Sequence, residues 1–556
     1  MCGIFALLNN ISADGQPIYS KDNVEKKFRN GKPRGPETTT MNYDFIDKNI
    51  LLGFHRLAIN GLDALSNQPI TSDDITLICN GEIYNYKQLY KVMKIESTTN
   101  SDCEVIIHMY KKYGMKQTLI MLDGVFSFIL YDKPNNLLYA ARDPYGVRPL
   151  YHARSDNSLH PIVFSSEMKM LPDIKETYIV KQFTPGHFQE FKYINKLWLS
   201  SSPTKYVSEP CINYSINNEW KTWPHSLIRP IQEDIYQNLC NAVKKRVVGT
   251  TERPIACLLS GGLDSSIICA LVKKYYGKPF QTYSIGMPGS EDAKYAKIVA
   301  EHLGTIHTTI ELSEDDFFNA IPEVIYAIES YDTTTVRASV GNYLVAKYIK
   351  EHSDAKVIFN GDGSDELCGG YLYFHNCPDE IEFDKECRRL LKDIHSFDVL
   401  RSDRSISSNG LEPRTPFLDR AFVQYYLSIP PYIRYHPAKK ECEKYLLRSS
   451  FDRDNLLPNE ILWRTKEAFS DGVSSLQKSW YEIINDKLHQ YKSIPTLYDG
   501  FSSGDFIRKK FPHNTPTTIE QYMYRFYFSE KFPAPILAKT IPYFWLPKYC
   551  NANDSS

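Results

Sequence analysis

The chain has almost no net charge: 65 Lys and Arg against 66 Asp and Glu leave −1 at neutral pH. Without a basic excess there is no electrostatic footprint for nucleic acid or an anionic membrane surface. No apolar run approaches the roughly 18 residues of a membrane-spanning helix. The opening Met1-Cys2-Gly3-Ile4 lacks the basic region and cleavage site of a secretory signal. Among 12 cysteines there is no Cys-x-x-Cys pair, and there is no His-Glu-x-x-His. These absences argue against a disulfide framework or a zinc site and for reduced thiols in the cytoplasm. No loop ends in the Gly-Lys-Ser/Thr of a Walker A motif. What is present is a globular composition, 42% hydrophobic and 24% charged, over 556 residues. At about 100–200 residues per domain, that length calls for more than one core.

The most informative stretch is Ser260-Gly261-Gly262-Leu263-Asp264-Ser265-Ser266. It follows the apolar run 255–259, which reads as a buried strand, and precedes 267–272, which reads as the buried side of a helix. A strand, a Gly-rich turn and a helix start together offer backbone N–H groups to phosphate. The glycines allow close approach. Asp264 would repel phosphate unless a cation lay between, which points to Mg²⁺. An ordinary turn with a Ser or Asp cap is the plainer alternative. The whole septet resembles the pyrophosphate loop of ATP pyrophosphatases, which adenylate a carboxylate and release pyrophosphate.

Cys2 directly follows the initiator Met. Removal of Met1 would put a thiol and an α-amine of reference pKa about 7.7–8 on one residue. That amine can activate the thiol without a separate His. Further along come Arg34-Gly35-Pro36, the strand-like stretch 53–59, Asn80-Gly81-Glu82-Ile83-Tyr84-Asn85, Ser101-Asp102-Cys103-Glu104 and Leu122-Asp123-Gly124-Val125-Phe126. This ordered set resembles the N-terminal-nucleophile glutaminase domain of class II glutamine amidotransferases. The resemblance implies Cys2 as nucleophile, with the Asn80 side chain and Gly81 backbone receiving the oxyanion. It implies glutamine binding by Arg56, Leu57, Ala58, Ile59, Asn60, Asn80, Gly81, Glu82 and Asp102. Arg56 suits the α-carboxylate, and Glu82 and Asp102 suit the α-ammonium. Segments 139–151, 164–169 and 185–187 also match and read as scaffold. Ser, Pro, Asn and Thr accumulate from 200 to about 224, which reads as a linker.

In the second half, strands at 280–286 and 357–360 and helices at 234–248 and 292–303 alternate, the order of a parallel sheet with helices on both faces. Ligands then bind at the carboxyl ends of the strands. The cluster Asn360-Gly361-Asp362-Gly363-Ser364-Asp365-Glu366 falls at such an end. Together with 331–339, 371–375, 411–419 and Trp463 to Gly472, it makes the chain from Cys2 to about Pro547 resemble the glutamine-hydrolysing asparagine synthetases.

That resemblance implies ATP binding by Leu259, Ser260, Gly261, Gly262, Asp264, Ser265, Ile285, Asn360, Gly361 and Asp365. It implies Mg²⁺ on Asp264 and Asp365, and aspartyl-adenylate contacts from Thr334, Thr335, Arg337 and Lys466, with Arg337, Lys466 and Asp362 catalytic. The family pattern commonly has Ser at 360, Glu at 362 and Asp at 37, where this chain has Asn, Asp and Glu.

The expected fold is an α+β N-terminal-nucleophile sandwich of two antiparallel sheets with outer helices at 2–205, then an α/β parallel-sheet ATP-pyrophosphatase-like domain at 226–548. The implied reaction consumes ATP, aspartate and glutamine through a β-aspartyl-AMP intermediate and yields asparagine, glutamate, AMP and pyrophosphate. Ammonia is expected to pass inside the protein. The expected partners are small molecules, with neither nucleic acid nor membrane, and room is left for a homodimer. Rival readings are a related amidotransferase or β-lactam synthetase-like enzyme adenylating another carboxylate, and a non-catalytic regulator on the same fold. The aromatic-rich stretch 522–547 reads as a packed helix and arm, and 551–556 as a frayed end.

Overall fold

The computed structural model describes the chain apart from residues 13, 44, 158, 211–224, 251, 438–441, 467–471, 476–477, 491–503 and 550–556. Most of the expected linker, part of the 463–472 motif and the expected frayed end therefore lie outside the described residues. The chain divides into two compact units, and neither is a single stretch. The first comprises Met1–Ser208 with Ile406–Glu412 and Phe528–Pro542; the second comprises Glu209–Ser405, Pro413–Tyr527 and Tyr543–Ser556.

The first unit is built on two antiparallel sheets. One runs Tyr178–Gln182, Tyr151–Ser155, Ile162–Ser165, Gly3–Leu8, Ile50–Arg56, Thr38–Asn42. The other runs Leu197–Ser200, His187–Ile194, Leu137–Arg142, Gly124–Asp132, Ile75–Ile83, Ile70–Ser72, with Thr204–Lys205 added beside His187–Ile194. Side chains alternate along a strand, so Ile4, Ala6 and Leu8 share a face and pack with Ile78, Ile129 and Leu138 of the other sheet. Full burial of each Ile or Leu here contributes about 1.5–3 kcal/mol. The opposite face of the second sheet, including Leu77, Cys79, Phe126 and Phe128, is covered by Leu89, Ile106 and Met109 from the helices Tyr86–Met93 and Val105–Met121. Both faces of this sheet's central strands, Ile75–Ile83, Gly124–Asp132 and Leu137–Arg142, are thus buried. The strand containing Arg56 is likewise buried along its whole length.

The second unit holds a sheet ordered Ile306–Glu311, Gln281–Gly286, Ile255–Leu258, Val357–Phe359, Glu412–Arg414. The ladders joining the first four are parallel. The strand Ile255–Leu258 sits between two partners, Cys257 lying opposite both Thr282 and Phe359. Its apolar composition suits a strand with no exposed edge. The helix Leu263–Tyr276 follows it, buried from Ser265 through Val272, and ends at Gly277 in the left-handed region. The expected helix at 234–248 begins earlier, spanning His225–Val248 with Pro230 inside it. The aromatic segment near the end forms the helix Ile519–Lys531. Among the described residues, no helix is long and apolar enough to cross a membrane, and the cysteines are free thiols.

Candidate active sites

In the first unit, Cys2 immediately precedes the strand Gly3–Leu8, and its thiol donates to the Leu57 carbonyl at 3.5 Å. Its own carbonyl accepts from Arg34 Nε at 3.1 Å. The Arg34 guanidinium is buried against Glu167 at 3.0 Å and the Ser407 hydroxyl at 2.8 Å. Burial pushes the Cys2 thiol up to about 11. The Met1 amine donates to the Leu411 carbonyl at 3.3 Å, and burial brings it down to about 6.

Asn80 and Glu82 lie two apart on the strand Ile75–Ile83 and so share a face. Both polar atoms of the Asn80 amide are buried without a protein partner, a costly arrangement that calls for a ligand or water. Gly81 is required by space: a Cβ there would meet the Val125 carbonyl oxygen at 2.5 Å. Glu82 accepts from the Asn60 amide at 2.8 Å, and Asp102 accepts from the Ile83 N–H at 2.6 Å. Arg56 donates to Asn67 Oδ1 at 2.6 Å, to the Asp63 carbonyl at 3.1 Å and to the Gly61 carbonyl. It thereby braces the loop that begins at Leu57. Glu37 accepts from the Ala58 N–H at 2.7 Å, tying down the same loop; the sequence showed Glu37 only as a departure. The 139–151 segment is scaffold, with Asp143 accepting from the N–H groups of Tyr145, Val147 and Arg148.

The second unit contains a cavity of about 210 Å³. It opens on the carboxyl ends of the parallel strands, where Leu259, Ser260 and Gly262 follow one strand, Ile285 ends the next, and Asn360 and Gly361 follow a third. The Gly-rich turn is not a capped helix start: Gly262 is the N-cap residue and no side chain caps the helix. Gly261 adopts φ +76°, and a Cβ there would meet the Ala296 nitrogen at 2.4 Å. Ser260 and Ser265 lie 3.1 Å apart by their hydroxyls, and Ser265 also donates to the Gly262 carbonyl at 3.2 Å.

Asp264 and Asp365, 101 positions apart in sequence, converge on one ammonium. Lys444 Nζ lies 2.6 Å from Asp264 and 2.5 Å from Asp365. Lys466 adds a second contact to Asp365 at 2.8 Å, and the Ser364 hydroxyl donates to Asp264 at 2.7 Å. Burial acts to raise the Asp365 carboxyl, but Lys444 and Lys466 outweigh it and hold the group well below the usual carboxylate range. Burial likewise acts to lower the Lys444 ammonium, and the two carboxylates more than reverse it. Gly370 makes room: a Cβ there would meet Lys444 Cε at 1.9 Å.

Among the described residues, no group of three or more His, Cys, Asp and Glu forms a metal cluster. Two carboxylates that share one cation nevertheless fit Mg²⁺, which is commonly held by one or two carboxylates plus substrate phosphates and water.

Thr334, Asp362 and Lys466 line the cavity. Thr335 and Arg337 are not among its lining residues. Thr335 donates its hydroxyl and N–H to Asp332, which caps the helix Thr333–His352. Arg337 makes a two-point pair with Glu520 at 2.8 and 2.5 Å and stacks over Tyr481. The pair with Glu520, on the helix Ile519–Lys531, satisfies the buried cation before any ligand does. The sequence reading also missed Lys444, Arg401 and Asp398, all of which line the cavity. Lys444 carried no local signal, since it stands at a helix start with φ 57° and is brought to the aspartates only by the fold.

Two family models match the chain. Residues 1–201 match the glutamine amidotransferase domain family, and 234–382 with 378–540 match the asparagine synthase family. The asparagine synthetase [glutamine-hydrolyzing] of Homo sapiens is 39% identical, covering 100% of this chain and 98% of that protein. Those of Mus musculus and Gallus gallus are each 40% identical over the same shares.

Proposed function

Because the chain belongs to the glutamine-hydrolysing asparagine synthetases and makes asparagine at the expense of ATP with glutamine as nitrogen donor, we propose the following division of work among its residues. In the first unit, loss of Met1 gives Cys2 its own α-amine. A thiol needs a base to become the nucleophile, and that amine takes the proton as Sγ attacks the glutamine carboxamide. The Asn80 amide and Gly81 N–H receive the oxyanion. Glu82 and Asp102 face the substrate ammonium, and Arg56 serves its carboxylate and holds the 57–60 loop. Ammonia leaves, and water releases glutamate from the thioester.

In the second unit, adenine lies between Leu259 and Ile285, and the phosphates lie over Ser260, Gly261, Gly262 and Ser265, with backbone contacts from Asn360 and Gly361. Asp264 and Asp365 would hold Mg²⁺, which when bound offsets phosphate charge. Lys444 and Lys466 stabilise the departing pyrophosphate as the β-carboxylate of aspartate attacks the α-phosphorus. Thr334 contacts the resulting adenylate, and Thr335 and Arg337 hold the helix that presents it. Ammonia then attacks the acyl carbon, Asp362 receives or orients its proton, and AMP leaves.

The observation that carries this reading is the convergence of Asp264, Asp365 and two lysines at the mouth of the Gly-rich turn. Product analysis with ATP, Mg²⁺, aspartate and glutamine tests it: asparagine is expected with AMP, and ADP in its place contradicts it. The free thiols support a cytoplasmic setting, and the near-neutral charge supports partners limited to small molecules. A homodimer is the assembly we propose, checked by sedimentation.

A further inference from the structure

We propose that Asn360 is a positioning residue for Asp362 and that the two form a matched pair; the proposal rests on the role given above to Asp362. Asn360 directly follows the strand Val357–Phe359, and its N–H is fixed on the Arg414 carbonyl at 3.1 Å. Its side chain is buried, and two of its three hydrogen bonds go to one neighbour, Asp362. Nδ2 donates to Asp362 Oδ2 at 2.7 Å and to the Ser402 hydroxyl at 2.8 Å. Oδ1 lies 3.4 Å from the Asp362 N–H.

The acceptor-only carboxylate and the Asp362 N–H fix the amide's orientation: turned over, Oδ1 would face a carboxylate oxygen and Nδ2 would face an N–H, whereas the Ser402 hydroxyl can pair with either end. The other Asp362 oxygen faces Arg401 at 3.6 Å, and Arg401 is itself held by Asp398 at 2.8 Å. The carboxylate is therefore held by two neutral groups, Asn360 at one oxygen and the Ser402 hydroxyl, and faced at the other oxygen by a cation. Both Asn360 and Asp362 line the cavity, so the grip sets where the carboxylate points within it.

Reach makes the pair matched. An Asp carboxylate stands close to its own backbone, and the amide of Asn360 is long enough to meet it there. A serine hydroxyl at 360 falls short, and a glutamate at 362 overshoots the amide. Changing both together restores the combined span.

The test compares N360S, D362E and the double variant N360S/D362E, measuring asparagine formation and the glutamate released per asparagine formed. Each single change is expected to lower kcat about 10-fold or more and to raise the glutamate-to-asparagine ratio. The double variant is expected to return to within about 3-fold of the parent. Losses that simply multiply in the double variant overturn the proposal. A crystal structure of N360S in which Asp362 keeps its place overturns it whatever the activity, and displacement of the carboxylate supports it. A parent that forms no asparagine contradicts the underlying reading instead, and the N360S structure still decides the positioning role.

Discussion

The Lys444 ammonium lies 2.6 Å from the Asp264 carboxylate, although 180 residues separate them in the chain. The same ammonium touches Asp365 at 2.5 Å, so one buried cation joins the Gly-rich turn to the second acidic cluster.

Replacing this lysine should therefore do two things. Lys444→Met leaves two carboxylates without their shared partner, and breaking a buried pair of this kind costs about 3–5 kcal/mol. Thermal unfolding should show the loss. Asparagine formation should fall at least about 100-fold, while glutamine hydrolysis persists. A stable variant with parental synthesis would remove Lys444 from the pyrophosphate site.

The unpartnered Asn80 amide makes a separable prediction for the first unit. Asn80→Ala should reduce glutamine hydrolysis about 10²–10³-fold, the usual cost of one oxyanion donor. Cys2→Ala should abolish it. Both variants should still make asparagine from added ammonium salts, which a coupled assay with each nitrogen source will show.

Arg337 was expected at the adenylate and is found on Glu520. Arg337→Met alone should be destabilised by about 3–5 kcal/mol, because Glu520 is left buried and unpaired. Arg337→Met with Glu520→Leu should recover most of that stability. Recovery of synthesis along with stability would assign Arg337 to packing; a stable but inactive double variant would return it to the chemistry.

His55 sets a pH dependence in the first unit. It is fully buried, stacks on Phe28, and its Nε2 is bonded to the Phe28 carbonyl at 2.8 Å. Burial lowers its folded pKa from 6.5 to about 4. Between those values the unfolded chain binds the proton and the folded chain does not, so stability rises with pH from about 4 to 6.5 and levels off above. The span corresponds to about 3 kcal/mol. Urea titrations of the parent and of His55→Phe across that range should show this slope diminished in the variant.

What the sequence made readable was what is local in the chain. Cys2 stands next to the initiator, Asn80 and Gly81 are adjacent, and the 260–266 turn lies between a strand and a helix whose apolar runs announce it. What escaped depends on long side chains arriving from elsewhere. Nothing around Lys444 distinguishes it from a surface lysine, and Arg401 and Asp398 come from a helix with no motif. Arg337 shows the reverse: a cation inside a recognisable stretch is paired with a glutamate 183 residues away, a contact its local sequence does not announce. Glu37 departed from the family pattern, yet its carboxylate reaches the Ala58 N–H, a contact visible only in three dimensions.

The most direct test of the central claim follows one oxygen atom. Aspartate labelled with ¹⁸O in its β-carboxylate is supplied with ATP, Mg²⁺ and glutamine, and the nucleotide product is weighed by mass spectrometry. Attack of that carboxylate on the α-phosphorus predicts one ¹⁸O in AMP for each asparagine formed. Unlabelled AMP, or label in inorganic phosphate with ADP as the nucleotide, would contradict it.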